Sequence, residues 1–280
     1  MRTSLLVEIT AKAGNYREIM KQQVVWITGA SSGIGEELAK QYIKRGDKVI
    51  LSARRKPELE RVKASCLSPE NTAIVPLDLT DFEAMPKKVA EAIRCFGSID
   101  LLINNGGVSQ RSLIIETGFE VYQRLVEINY LGTVALTTAL LPYFIERQKG
   151  QFAVVTSVMG KYASPFRSGY AGAKHALHGF FDALRMEHQK DNIQVSLLCP
   201  GFVQTNVTVN ALTGDGSTLG HDDPATQNGL AVNSFCRKAI KALDNKAWET
   251  YFGRKEKLGV YLKRLSQKWL HAVVIRSNVR

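Results

Sequence analysis

Along most of the chain two hydrophobic periods alternate. Short, continuously apolar and often β-branched runs, VVWIT (24–28), KVILSA (48–53), TAIVPL (72–77) and DLLIN (100–104), give way in turn to segments of helical period. The first helical segment ends near Arg45, the second begins at Pro57 and the third ends at Phe96. The rhythm continues with a long helix around 120–146, QFAVVTS (151–157), a helix around 168–189 and IQVSLLC (193–199). A helix from about Gln227 to Leu243 and a last strand near AWETYF (247–252) complete it. Runs apolar at every position need cover on both faces, and helical crossovers bring successive strands parallel, so the pattern predicts an α/β doubly wound sheet in one domain, residues 23–253.

Three stretches depart from this rhythm. Residues 1–22 show no clear period and are expected to be an N-terminal extension. Residues 206–225, NVTVNALTGDGSTLGHDDPA, are rich in Gly, Asp, Asn and Thr and follow the sixth strand, at the carboxyl edge where open α/β sheets bind ligands. A mobile substrate lid is the expectation there, an inert surface loop the alternative. From 254 to 280 basic residues (Arg254, Lys255, Lys257, Lys263, Arg264, Lys268, Arg276, Arg280) interleave with Leu258, Tyr261, Leu262, Leu265, Trp269 and Leu270. This is the pattern of a basic amphipathic helix, packing on the domain or another subunit, or meeting a membrane surface peripherally.

Composition narrows the picture. With 280 residues, 45% of them hydrophobic, the chain can bury a full core as one domain. No apolar run approaches the roughly 20 residues of a spanning helix, and MRTSLLVEITAK is too short in apolar character for a secretory signal. Cys66, Cys95, Cys199 and Cys236 lack metal-ligand spacing, so reduced thiols, no metal and a soluble cytoplasmic protein are expected. The formal charge of +11 suits an anionic ligand, a nucleic acid or an anionic membrane, and does not choose among them. Nucleic acid is not expected, for want of a recognition motif or a basic-aromatic groove.

Directly after the first strand stands Thr28-Gly29-Ala30-Ser31-Ser32-Gly33-Ile34-Gly35, opening into EELAKQYIKRG. Glycines there allow a tight turn and a close approach to a pyrophosphate, whose charge then sits on free amides at a helix N-terminus; an ordinary strand-to-helix turn is the plainer reading. At the end of the second strand Ala53 and Arg54 stand where a carboxylate would accept from the ribose 2′-hydroxyl of NAD. Arginine suits a 2′-phosphate, so NADP is favoured over NAD, with Arg54 ahead of Arg55 and a solvated surface arginine as the alternative for each. Asp78 in PLDLT could accept from an adenine amino group or cap the segment beginning DFEAM. Asn104-Asn105-Gly106-Gly107 can hold backbone and leave room for the dinucleotide, though turn chemistry also explains it.

Tyr170 and Lys174 lie four apart in YAGAK and share a helix face. An ammonium beside a phenol favours the phenolate, and should bring the group down from about 10 toward service as an acid/base. Ser157 ends the fifth strand just before this helix, where its hydroxyl can polarise a carbonyl. His175 and His178 have no metal-ligand partner set and are assigned to packing or solvent.

Together these residues resemble the short-chain dehydrogenases/reductases. The resemblance spans about residues 22–253 and comprises TGASSGIG, Asp78, NNGG, Asn129 in EINYLGT, Ser157, YAGAK, and Pro200-Gly201 with Thr205. It implies a parallel Rossmann sheet of seven strands, hydride transfer between a nicotinamide and an alcohol or carbonyl, and a homodimer or homotetramer packed through the long helices. It implies catalytic roles for Asn129, Ser157, Tyr170 and Lys174, with Asn129 holding a water in a relay through Lys174. Cofactor contacts are implied for Gly29, Ser31, Ser32, Gly33, Ile34, Gly35, Arg54, Asp78, Leu79, Asn105, Gly106, Tyr170, Lys174, Pro200, Gly201, Val203 and Thr205. One departure is Gly107, where many relatives carry alanine, and the lost methyl is expected to affect packing more than chemistry. NNGGVSQRS and GKYASPFRSGYAGAKHAL look closest to the branch of the member-7-like and 11β-hydroxysteroid-type reductases. That suggests a lipophilic alcohol or ketone. The candidate pocket residues are Gln110, Arg111, Met159, Phe166 and Phe202 with the 206–225 lid; a dinucleotide-binding sensor or scaffold without turnover is the rival function.

Overall fold

A computed structural model describes residues 22–221 and 223–277. Seven strands, β1 (Val24–Thr28), β2 (Lys48–Ser52), β3 (Thr72–Ile74), β4 (Leu101–Asn104), β5 (Gly150–Val155), β6 (Ile193–Pro200) and β7 (Glu249–Phe252), form one sheet in the order β3-β2-β1-β4-β5-β6-β7. Every pairing is parallel. The helices are α1 (Gly33–Arg45), α2 (Lys56–Ala64), α3 (Met85–Phe96), α4 (Phe119–Glu146), α5 (Ser168–Glu187), α6 (Pro224–Gln227), α7 (Val232–Asp244), α8 (Leu258–Leu265) and α9 (Gln267–Arg276). The strand order reverses between β1 and β4, and that crevice is where a doubly wound sheet holds its ligand.

The two-sided apolar runs act as expected. Val25 and Ile27 of β1 join a core with Leu38, Tyr42, Phe235 and Leu243, whereas Val24 and Trp26 join another with Leu140, Phe144, Phe152, Leu177 and Phe181. Alternate residues of one strand thus serve opposite layers. At about 1.5–3 kcal/mol for each large side chain fully buried, these clusters dominate the favourable side of folding.

Four expectations change. The long helix is continuous from Phe119 to Glu146 but passes through a π turn at Glu127–Leu131 that carries Asn129. By length and composition α4 is also the one helix among the described residues that could cross a membrane, where the sequence suggested none. In the fold its Leu125, Asn129, Leu136, Thr137, Leu140 and Phe144 are buried.

The helix expected from Gln227 is split, because Leu230 pairs with Val203 and its N–H donates to the Phe202 carbonyl. Backbone used in that bridge cannot continue a helix, so α6 stops at Gln227 and α7 starts at Val232. The basic terminal helix is two helices. Ser266 is extended between them, and its Oγ accepts from the Trp269 N–H to cap α9. Val260 and Leu270 pack on Val158, Met159, Tyr162 and Ala171 next to the Tyr170 side chain. Packing on the domain is therefore the observed role of the buried face, while Tyr261, Leu265, Trp269, Val273 and Ile275 remain exposed.

The 206–225 segment, expected as a lid, is held to the domain at Leu212. Leu212 forms bridges with Gln110 and Thr218, and Thr208, Ala211 and Leu212 are buried. The N-terminal extension lies, apart from Gln22, outside the described residues.

Candidate active site

A cleft of about 500 Å³ opens at the carboxyl ends of β1, β2, β4, β5 and β6. Gly29, Ser31, Ser32, Gly33, Ile34, Arg54, Asp78, Leu79, Asn105, Gly106, Asn129, Ser157, Tyr170, Lys174, Pro200, Gly201, Val203 and Thr205 line it together. Gly35 alone of the expected contacts stays out of the lining; it is buried behind the loop, where a Cβ would lie 2.3 Å from the Gly29 carbonyl oxygen. Its lack of a side chain lets the turn close. Gly29 has φ +64°, and the Asn105 amide donates to the carbonyls of Thr28 (3.0 Å) and Gly29 (3.3 Å). The turn is therefore held from β4 as well as from its own strand.

This cradle fits a dinucleotide. Ser32 is extended at the start of α1 and no side chain caps the helix, so the first-turn amides face the cleft as donors for a pyrophosphate. Glu36, the first-turn acid, is held well below the usual carboxylate range by the hydrogen bond from Arg61 and then by Lys40, against the opposing effect of burial. Arg54 and Arg55 are exposed at the rim. Asp78 is exposed and accepts from the N–H (3.0 Å) and hydroxyl (2.8 Å) of Thr80; the cap near α3 is made instead by Asp81, which accepts from the Ala84 N–H. Of the two readings of Asp78, helix capping is set aside.

At the other end Ser157, Tyr170 and Lys174 converge. Ser157 Oγ accepts from the Met159 N–H (3.1 Å), donates to the Pro200 carbonyl (3.3 Å) and lies near the Tyr170 phenol. Lys174 Nζ donates to the Val155 carbonyl (2.8 Å) and sits 5.7 Å from the centre of the Tyr170 ring. Burial raises the Tyr170 phenol above its ordinary value; the nearby Ser157 hydroxyl, Arg111 and Arg167 oppose the shift. The expected downward pull by Lys174 is not what the geometry gives. Burial also lowers Lys174 to about 8, which weakens it as a cation.

Asn129 reaches the cleft through the π turn, a form of helix defect often found at functional sites. Both ends of its carboxamide engage Val108: Oδ1 accepts from the N–H (2.8 Å) and Nδ2 donates to the carbonyl (3.0 Å). Gly107 matters more than the sequence indicated. A Cβ on it would fall 2.5 Å from Asn129 Oδ1 and 3.8 Å from Lys174 Nζ, so the missing methyl leaves the space that Asn129 occupies.

Two candidate pocket residues prove to be fasteners. Arg111 donates to Asp223 (2.8 and 3.2 Å), Thr208, Ser109 and the Gln110 carbonyl. Gln110 is fully buried and does not line the cleft. Arg167 also lies 3.6 Å from Asp223, and burial with Arg111 nearby lowers it to about 10 against the pull of Asp223. Sequence reasoning missed Arg167 and Asp223, since charges 56 positions apart carry no local pattern (223 − 167). His175 is half-buried and His178 buried; burial brings His178 down to about 3, so it is neutral, yet against expectation it has potential metal ligands as neighbours. His178, Cys199 and Glu249 do approach one another, but His178 presents Nε2 to Cys199 and Nδ1 to Glu249, which is already paired with Lys161.

Comparison with known proteins agrees with this architecture. The short chain dehydrogenase family profile matches residues 23–215. Dehydrogenase/reductase SDR family member 7 of Homo sapiens is 48% identical over 259 residues, covering 89% of this chain and 76% of that protein. A member 7-like protein of Anopheles gambiae is 44% identical over 227 residues, covering 79% and 72%. Among solved structures, a short-chain dehydrogenase from Streptomyces avermitilis superposes with TM-score 0.77 at 25% identity, over 91% of this chain and 96% of that one. Two Burkholderia structures share the fold with TM-scores of 0.75 and 0.76 at 23% and 19% identity, covering 92% and 93% of this chain and 99% and 97% of theirs; the first holds NADP, the second NAD. The chain belongs to the short-chain dehydrogenase/reductase family, in the branch of the member-7-like proteins, and is an oxidoreductase.

Proposed function

We propose that the protein interconverts an alcohol with a ketone or aldehyde, prefers NADP(H), and uses Tyr170 as general acid/base. The observation that carries this reading is the meeting of Ser157, Tyr170 and Lys174 in the cleft that also holds the glycine turn. When bound, the reduced dinucleotide supplies the hydride. Ser157 donates to the substrate oxygen and fixes it, and Tyr170 gives that oxygen its proton. A phenol raised by burial is protonated near neutrality, the form needed for reduction. Lys174 holds ribose hydroxyls, and Asn129 anchors the wall beside them and holds a water in the proton relay. Leu79, Gly106, Pro200, Gly201, Val203 and Thr205 line the same cleft and would wall the nucleotide, with Asp78 as the adenine contact in this reading.

NADP preference rests on Arg54 and Arg55 at the rim and on Ala53 in place of an acid. The exposed apolar residues of α8 and α9 lie among lysines and arginines, which supports peripheral contact with an anionic membrane; a homo-oligomer and a cytoplasmic location complete the reading. NADPH consumption with a panel of ketones and aldehydes, comparing the parent with Tyr170→Phe, tests the mechanism. A loss of about 10²- to 10⁴-fold is expected; equal rates would overturn it.

A further inference from the structure

We propose that Gln110 is a positioning residue that fixes the catalytic tyrosine through the start of its helix and ties it to the 206–225 segment. This rests on the reading of Tyr170 as proton donor. The first amides of any helix lack intrahelical partners. Arg167, at the cap of α5, contributes no side-chain hydrogen bond to them. Gln110 instead reaches across from the chain that follows β4, and its Oε1 accepts from the N–H of Gly169 (2.8 Å) and of Tyr170 (3.3 Å). The residue is fully buried. Its Nε2 donates toward the hydroxyls of Ser112 (3.2 Å), Thr117 (3.4 Å) and Ser168 (3.5 Å), which sets the carboxamide with its oxygen toward the helix. An acceptor 59 residues away in sequence thus caps the turn that carries the phenol.

The same residue is bound to the substrate side by its backbone. Gln110 bridges Leu212, the Leu212 N–H donates to the Ser109 carbonyl (2.9 Å), and the Arg111 N–H donates to the Leu212 carbonyl (2.8 Å). Movement of the 206–225 segment at Leu212 is therefore passed through one side chain to the backbone of Tyr170. Displacements of about 1 Å at reacting groups can cost 10²-fold in rate.

The test compares Gln110→Met, which keeps the volume but loses the acceptor, with Gln110→Glu, which keeps an acceptor and adds a charge. Phenanthrenequinone reduction by NADPH and amide hydrogen exchange of the cofactor-free protein are the readouts. Gln110→Met is expected to lower kcat about tenfold or more with the NADPH Kd changed less than about twofold. It should also speed exchange at the Gly169 and Tyr170 amides by about fivefold. Gln110→Glu should recover part of kcat. Its carboxylate, added where Arg111, Arg167 and Lys174 are the cations and Asp223 the anion around the phenol, should move the alkaline limb of kcat/KM to higher pH.

A parental kcat in Gln110→Met, or unchanged exchange at those two amides, overturns the proposal. If Gln110→Met fails to fold, the limb of Gln110→Glu decides, and an unmoved limb overturns it. Parental rates in Tyr170→Phe would instead remove the reading beneath it, while a dead Tyr170→Phe beside a parental Gln110→Met removes the positioning role alone.

Discussion

The two ends of the cleft are built from different material. The nucleotide end is mostly main chain: the Gly29 turn, the uncapped first amides of α1, and Asn105 holding the Thr28 and Gly29 carbonyls. The catalytic end is mostly side chain, with Lys174, Arg111, Arg167 and Asp223 buried among Ser157, Gln110 and Tyr170. A backbone cradle places dipoles without burying charge, so it needs only small residues at adjacent positions. Buried charges each need a partner, and every partner comes from a different segment of the chain.

That contrast can be tested from the catalytic end outward. Asp223→Ala removes the carboxylate between Arg111 and Arg167 and the cap of the Thr226 N–H. A loss of about 3–5 kcal/mol in chemical denaturation is expected; a loss below about 1 kcal/mol would mean that this end does not depend on its buried charge pairing. Lys174 gives the next effect. Its folded value of about 8 lies below the unfolded value of about 10.4, so between them the unfolded chain binds more protons and stability rises with pH; below about 8 the penalty is constant. Buried Cys199 and Cys236, which burial raises, act in the opposite direction there, so the measure is the difference in denaturation midpoints between the parent and Lys174→Met, which should shift in the parent's favour by about 2–3 kcal/mol across that window.

At the nucleotide end the main side-chain choice is Arg54. Arg54→Glu should change the NADPH-to-NADH ratio of kcat/KM by about ten- to hundredfold, or about 1.4–2.7 kcal/mol, without changing stability. An unchanged ratio would return the preference to the main chain. Smallest is Gly107→Ala, at the seam of the two ends. The methyl must displace Asn129 Oδ1, so a loss of about 1 kcal/mol is expected in thermal unfolding, together with a lower kcat. No change in either would show that the seam has slack.

The limits of sequence reading follow the same division. TGASSGIG, NNGG and YAGAK were legible because each acts over a few consecutive positions on one turn or one helix face. The seven strands were legible because burial on both faces requires continuous apolar runs. Strand ends were placed less well: TAIVPL was read to 77, yet β3 ends at Ile74. The break at Ser266 was missed because its cap depends on one hydroxyl inside a periodic pattern. Gln110 and Arg111 were taken as pocket lining because they follow β4 at the ligand edge, and nothing local shows that their side chains turn inward to α5 and Asp223.

What the sequence determined by itself was the sheet, its parallel sense, the glycine turn after β1 and the set of candidate groups that meet in the cleft. Each of these follows from periodicity or from residues close together in the chain. Only the tertiary structure decided the direction in which burial shifts Lys174 and Tyr170, the anchoring of 206–225 at Leu212, and the contact of Gln110 with the first amides of α5. Those depend on how much water and which distant dipoles surround a group, and burial and neighbours are properties of the packed chain.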